Sequence, residues 1–249
     1  MSMEILRINN VSKSFKTSLF RKKQILHNVS LALPQKSVMG FLGPNGAGKS
    51  TLIKTIMDFI RPDNGTLQIA GKANNDSYSR GKVGFLPEHP YYYDNLTANE
   101  LLLVFGKLAG MSPYDIKQRG DALLTKLHLI HAADKKLRTY SKGMQQRVGF
   151  ALAIIHDPDL LILDEPLSGL DPMGRHMIIQ LITDLKNEGK SIFFSSHILN
   201  DIERVCDLVA IINRGKILFQ GNLQECIGTC GNLENAFVQY INRDNEHVN

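Results

Sequence analysis

The sequence predicts an α/β fold: a mostly parallel sheet core, an antiparallel β layer beside it, and an inserted helical block. Three observations carry this. Through much of the chain, short apolar runs of strand length alternate with helix-like segments, the pattern of parallel strands joined by crossover helices. Residues 4–42 instead hold strand-like runs separated only by turns or polar breaks, as in an antiparallel layer. Between about Tyr91 and His156 helical patterns take over.

EILRINNVS (4–12), ILHNVSLAL (25–33) and SVMGFL (37–42) read as strands, and the last runs straight into GPNGAGKST (43–51). A helix is expected over about 50–60, then a turn at RPDNG (61–65), then strands at TLQIAG and KVGFLPE. In the helical block, Thr97-Ala-Asn-Glu100 is a capping box. Ser112-Pro113 offers an N-cap and a first-turn proline, and Ser141 is placed to cap the helix through QQRVGFALAIIH. LLILDEP (160–166) is an apolar strand ending in two acids. The segment 172–189 is a helix closed by Gly189, and SIFFSSH is a strand with a histidine at its end. LVAIINRGKILFQG (208–221) reads as a hairpin turning at Asn213 to Gly215, and NRDNEHVN (242–249) as a frayed tail.

The composition, 43% hydrophobic and 21% charged over 249 residues, is that of a soluble globular protein large enough to fold without staples. No run of 18 apolar residues exists, so no membrane span is expected. MSMEILRINN lacks the apolar centre of a signal peptide, and a cytosolic location is expected. Cys206, Cys226 and Cys230 have no companions at zinc spacing and read as ordinary reduced thiols. Part of the net charge of +5 lies in KSFKTSLFRKK (13–23), with five basic residues. Such a run is either a solvated loop or a contact for acidic lipid heads or nucleic acid. No nucleic-acid signature accompanies it, and no nucleic-acid partner is expected.

The chemistry starts at 43–51. Gly43, Pro44, Asn45, Gly46, Ala47, Gly48, Lys49, Ser50 and Thr51 have the spacing of a phosphate-binding loop. Glycines allow positive φ and close backbone approach, so that N–H groups and the following helix start can cradle an anion. Lys49 suits the β- and γ-phosphates, and Ser50 suits Mg²⁺. The competing reading, a glycine-rich turn with a chance lysine, fails to explain the strand before and the helix after. Asp164, at the end of an apolar strand, supplies the second Mg²⁺ ligand such a site needs, and Glu165 one residue later can act on the attacking water.

YSKGMQQR (140–147), LLILDEP (160–166), SGLDP (168–172) and SSH (195–197) follow the phosphate loop in the order seen in nucleotide-binding domains of ATP-binding-cassette (ABC) transporters, which the sequence resembles over about residues 5–220. The resemblance implies a P-loop NTPase-like core, the ABC ATPase fold. In one cassette over 1–249, about 1–90 and 157–220 would be core plus antiparallel layer, 91–156 a helical subdomain, and 221–249 a C-terminal helix and tail. It implies that Ser141 and Gly143, at a helix start, bind the γ-phosphate of a nucleotide held by another subunit. It implies that His197 is the switch histidine at the γ-phosphate, that Asp171 belongs to the loop crossing the dimer interface, and that Phe15 stacks on adenine. A lone histidine after an apolar strand, or a single phenylalanine, would otherwise read as structural. Two positions depart from the family pattern: Lys142 stands within the signature, and Glu88 stands where a glutamine usually ligands Mg²⁺. The basic insert at 17–23 lengthens the first hairpin.

These implications add up to an ATPase with ATP and Mg²⁺ as cofactors, paired with a second nucleotide-binding subunit, most simply as a homodimer with ATP. It would sit peripherally on the cytoplasmic face of the membrane. There it would drive a separate six-helix permease, with YSKGM and LPE resembling the bacterial exporter branch. The rival is a soluble ABC-type ATPase not coupled to transport, but those fuse two cassettes or carry a long coiled coil.

Overall fold

Residues 3–18 and 21–246 are described here by a computed structural model. In chain order the elements are β1 (Glu4–Ser18), β2 (Arg21–Pro34), β3 (Val38–Leu42), α1 (Lys49–Ile56), β4 (Asn64–Ile69), β5 (Lys72–Ala73), α2 (Ser77–Gly81) and β6 (Val83–Leu86). Three helices follow: α3 (Ala98–Leu108), α4 (Pro113–Lys126) and α5 (Lys142–Ile154). The chain then returns through β7 (Leu160–Asp164), α6 (Pro172–Asn187), β8 (Ser191–Ser195), α7 (Leu199–Val205), β9 (Leu208–Asn213) and β10 (Lys216–Asn222) to α8 (Leu223–Ile227) and α9 (Leu233–Glu246).

Two sheets result. One is antiparallel, in the order β2-β1-β4-β5. The other runs β10-β9-β3-β8-β7-β6, parallel from β9 to β6 and antiparallel only at β10. The parallel strands β3, β7 and β8 are buried along their whole length, which is why they read as unbroken apolar runs. Their side chains still alternate. Leu161 and Leu163 of β7 join the core under the helices, and Leu160 and Ile162 join the core shared with the antiparallel layer. The central sheet is therefore covered on both faces, and only its strand ends open to a ligand.

The local signals read from the sequence are present. Thr97 Oγ1 accepts from the Glu100 N–H at 3.1 Å while the Glu100 carboxylate accepts from the Thr97 N–H at 2.7 Å. Ser112 and Ser141 cap α4 and α5, Gly189 has a φ of 86° just past α6, and β9 and β10 form the hairpin. The three cysteines are free thiols. Among the described residues no helix is long and apolar enough to cross a membrane.

Two expectations need correction. The tail does not fray at residue 242, because α9 continues to Glu246. Leu233 and Ala236 are buried against the main core, and Asn213 Nδ2 donates to Asp244 Oδ2 at 2.8 Å, so packing and a side-chain bond hold the helix. The first hairpin is also longer than its apolar runs, since the polar and basic residues up to Ser18 and from Arg21 are in strand.

Gly84 of β6 sets how closely α5 lies on the sheet. A Cβ there would collide with the Ala153 carbonyl oxygen, Leu161 Cδ2 and Pro158 Cγ. Gly84→Ala is expected to destabilise the fold by about 1–3 kcal/mol or more, read as a lowered midpoint in urea denaturation. An unchanged midpoint would contradict the close packing.

Candidate functional site

The loop between β3 and α1 lies at the carboxyl end of the parallel sheet. Gly46 and Gly48 take φ values of 78° and 111°, a region that favours glycine. Gly48 is the N-cap of α1 and offers no capping side chain, so the first helical N–H groups are left for another acceptor. The loop is braced from behind, where the Gly215 N–H donates to the Ala47 carbonyl at 2.8 Å and the Ala47 N–H to that of Pro44 at 3.1 Å. Lys49 is buried and folds back over the loop, its ammonium donating to the Gly43 carbonyl at 2.6 Å and to that of Pro44 at 3.5 Å.

Opposite the loop stand the acids. Asp164 ends β7 and pairs in register with Ser195, which ends β8. Ser195 Oγ donates to Asp164 Oδ1 at 2.7 Å and accepts from the Glu165 N–H at 2.9 Å. Glu165 has a φ of 49°, unusual for a residue with a side chain, and this turn brings its carboxylate round to the cleft. Its Oε2 lies 2.7 Å from His197 Nδ1. Asp164 and Glu165 are only 6% and 8% exposed. Burial pushes the Asp164 carboxyl above its usual range, and the Glu88 and Glu165 charges add to this. The Ser195 hydrogen bond and the Lys49 charge act against it.

A cleft of about 630 Å³ joins these groups. Its walls carry Pro44, Asn45, Gly46, Gly48, Lys49, Ser50 and Thr51 on the loop side, Glu88, Asp164, Glu165 and His197 on the acid side, and Phe15, Lys23 and Ile25 from the antiparallel layer. Gly43 and Ala47 back the loop by the hydrogen bonds above rather than facing the cleft. Phe15 is 38% exposed and outside both cores, with the Lys13 ammonium 5.6 Å from its ring centroid. A larger hollow of about 990 Å³, lined by Arg7, Lys36 and Asp159 among others, has neither a glycine loop nor an acid–histidine pair, so size alone does not mark the site.

Ser141, Gly143 and Asp171 lie outside the cleft. Ser141 Oγ accepts from the Met144 N–H at 3.2 Å and Asp171 Oδ1 from the Gly174 N–H at 2.8 Å, so each caps its own helix, and both residues are exposed.

Sequence reasoning missed three residues. Ser195 was visible only as part of SSH, and its bridging role depends on the register of β7 against β8. Lys23 was one of a run of basic residues. Gln146, buried in α5, donates from Nε2 to the Pro166 carbonyl at 3.1 Å and ties that helix to the segment after Glu165.

The donor set suits Mg²⁺ held partly by a ligand. Among the described residues no three His, Cys, Asp or Glu side chains converge as a metal cage. Mg²⁺ usually takes one or two carboxylates and completes its shell with water and phosphate oxygens. Ser50, Asp164 and Glu88 around one cleft match that habit, and a cation would relieve the repulsion that Asp164 feels.

Residues 26–168, more than half of the chain, match the family model described as ABC transporter. The chain belongs to the ABC transporter family. An uncharacterised ABC transporter ATP-binding protein of Synechocystis, sll0415, is 44% identical over 88% of this chain and 63% of its own length, so the chain spans less than two thirds of that relative. The lantibiotic transport ATP-binding protein SrtF of Streptococcus pyogenes is 36% identical over 95% of this chain and 97% of its own. The solved ATP-binding subunit of an ABC transporter has a TM-score of 0.87 at 29% identity, covering 95% of this chain and 99% of the other. The ATP-binding cassette MJ0796, solved as a dimer in a post-hydrolysis state with ADP and Pi, has a TM-score of 0.79 at 26% identity over 87% of this chain and 98% of that one. The mixed-sheet cassette expected from the sequence is thus the ABC ATPase fold, and ATP is its nucleotide.

Asp164 also yields a stability prediction. Its folded-state pKa is raised above the unfolded value, so its contribution is most favourable below the unfolded pKa and is lost as pH rises through the folded one. At pH 7 the charged group therefore burdens the nucleotide-free fold. Asp164→Asn keeps an oxygen for Ser195 and removes the charge. The nucleotide-free variant should melt a few degrees higher than wild type near pH 7, with the gap closing as pH falls through the raised folded-state pKa toward the ordinary carboxylate range. Addition of MgATP should raise the variant's melting point less than that of wild type. A lower melting point at pH 7 would contradict this.

Proposed function

We propose that the chain binds and hydrolyses MgATP as one half of a head-to-tail pair and thereby drives a separate membrane permease, in the direction of export. The observation that carries the reading is the contact of Glu165 with His197 in the cleft that also holds Lys49 and Asp164. Phosphoryl transfer to water needs little covalent help from a protein, and a site of this kind works by placing the nucleophile and balancing charge.

In this reading Lys49 leaves the Gly43 and Pro44 carbonyls and binds the β- and γ-phosphates, beside the free N–H groups at the start of α1. Ser50, Asp164 and Glu88 hold Mg²⁺, which offsets phosphate charge when bound. Glu165 accepts a hydrogen bond, and then a proton, from the attacking water. His197 fixes the Glu165 carboxylate through Nδ1 and contacts the γ-phosphate, and Phe15 stacks on the base. Residues 91–156 act as a helical arm presenting Ser141 and Gly143, and 1–90 with 157–220 act as the nucleotide-holding body. Ser141, Gly143 and Asp171 then serve a second copy, which explains why they stand away from their own cleft, with Ser141 and Asp171 exposed. The MJ0796 dimer supports this pairing. SrtF, named for lantibiotic transport, supports coupling to transport.

Glu165→Gln keeps the shape and removes the base, so turnover of MgATP should fall by about 10²–10⁴-fold with binding retained. Size-exclusion chromatography with light scattering should find that variant dimeric with MgATP and largely monomeric with ADP. Wild-type turnover in the variant, or a dimer indifferent to ATP, would sink the shared-site reading.

Coupling to a permease is tested separately. The tagged chain, purified from its native membranes after mild detergent extraction, should bring with it a polytopic protein of about six spans, and removing that protein should free the chain into the soluble fraction. A chain that is soluble from the start, with no membrane protein attached, would favour an uncoupled ATPase.

A further inference from the structure

The basic stretch 13–23 has no role in the reading above beyond Phe15, yet one of its lysines reaches the nucleotide cleft. Phe15 of β1 and Lys23 of β2 are register partners in the antiparallel hairpin. Directly opposed residues project on one face with their Cβ atoms about 5 Å apart. Both line the cleft, as does Ile25, two residues on. The Ile25 carbonyl oxygen lies 3.3 Å from where a side chain on Gly48 would begin. Lys23 therefore lies beside the aromatic ring on the cleft wall, about 7 Å along the strand from the residue that touches Gly48. A lysine side chain spans most of that distance.

The charge around it is unbalanced. Lys13, on the same face of β1, is already held by Asp63 at 3.0 Å. Lys16 and Lys22 oppose each other across the hairpin, like charge against like charge. The Lys23 ammonium has no ion-pair or hydrogen-bond partner among the described residues. A free ammonium beside a base-stacking ring, in a cleft that also holds a phosphate cradle, has one suitable counter-charge in a bound nucleotide, the phosphate nearest the ribose.

We infer that Lys23 binds the α-phosphate of the nucleotide, so that the start of β2 forms the outer wall of the site. This rests on the cleft being the nucleotide site. It differs from the base stacking assigned to Phe15, because it adds a salt-sensitive charge contact. It also differs from the role of Lys49, which reaches the other end of the polyphosphate.

Calorimetric titration of the full chain with MgADP, which no step consumes, tests it on wild type, Lys23→Met, Lys23→Arg and Lys22→Met. Lys22→Met removes the same charge from the same hairpin at a residue that does not line the cleft. At low KCl, Lys23→Met should weaken binding about fivefold, Lys23→Arg should stay close to wild type, and Lys22→Met should change little. The Lys23→Met deficit should shrink as KCl is raised, because the contact is screened. Equal affinity in wild type and Lys23→Met would overturn the inference. So would an equal loss in Lys22→Met, which would reduce the effect to the general field of the hairpin, or a Lys23→Met deficit that salt leaves unchanged. Failure of wild type itself to bind MgADP would instead overturn the nucleotide reading of the cleft, and the Lys23 contact with it.

Discussion

The site depends on the last register pair of β7 and β8. Asp164 and Ser195 face each other there, and one hydroxyl both donates to the Asp164 carboxylate and accepts the Glu165 amide. That hydroxyl fixes the turn by which the chain leaves β7, and the turn aims Glu165 at His197. Two parallel strands thus deliver an acid pair and a histidine to one point, because parallel strands end on the same edge. The antiparallel layer could not do this with a single register pair, since its neighbouring strands end on opposite edges.

Around that pair the resting site carries stress that a ligand would relieve. Asp164 is buried beside two further carboxylates, and its raised pKa is the mark of the cost. Lys49, the balancing charge, spends its short hydrogen bond on the Gly43 carbonyl. A phosphate in the loop gives Lys49 a stronger partner and gives the amides at the start of α1 an acceptor. A cation between Asp164 and Ser50 then answers the carboxylates. Each step would remove an imbalance that folding alone leaves in place, and nucleotide binding and stability would then be linked through the same residues.

Legibility in the sequence followed the range of the interactions. Local chemistry was plain: the loop spacing of 43–51, the Thr97–Glu100 capping box and the acid-terminated run of β7 each fit within one element. The fully buried strands were also plain, because their apolar runs are too short for helices. What escaped depended on pairing between distant segments. Polar residues such as Lys16 and Lys22 are strand because β1 and β2 pair, not because of their own preference. Residues 242–246 look like a solvated tail until Asp244 meets Asn213. Ser195 is an ordinary strand-end serine until β8 is laid against β7 in register. The capping serines Ser112 and Ser141 are alike in sequence, and only family resemblance set Ser141 apart.

The exposed caps press the argument one step further. Ser141 and Asp171 each satisfy one amide of their own helices and remain at the surface. Gly143 follows Ser141 within the first turn of α5, where further N–H groups have no intrahelical acceptor. A helix start of this kind attracts anions but cannot reach the cleft of its own chain, since neither residue borders it. The cleft, for its part, has Lys49 on one side and the acids on the other, and its mouth stays open to solvent. Two such half-sites on one chain would complete each other under a twofold axis, in which the same pair of surfaces meets twice. An anion at each junction would then belong to the interface as much as to the cleft, so breaking its terminal phosphate bond would weaken the contact between the chains. Under the proposed pairing, that link between bond cleavage and subunit separation would let a reaction confined to a few side chains move a partner far larger than the site.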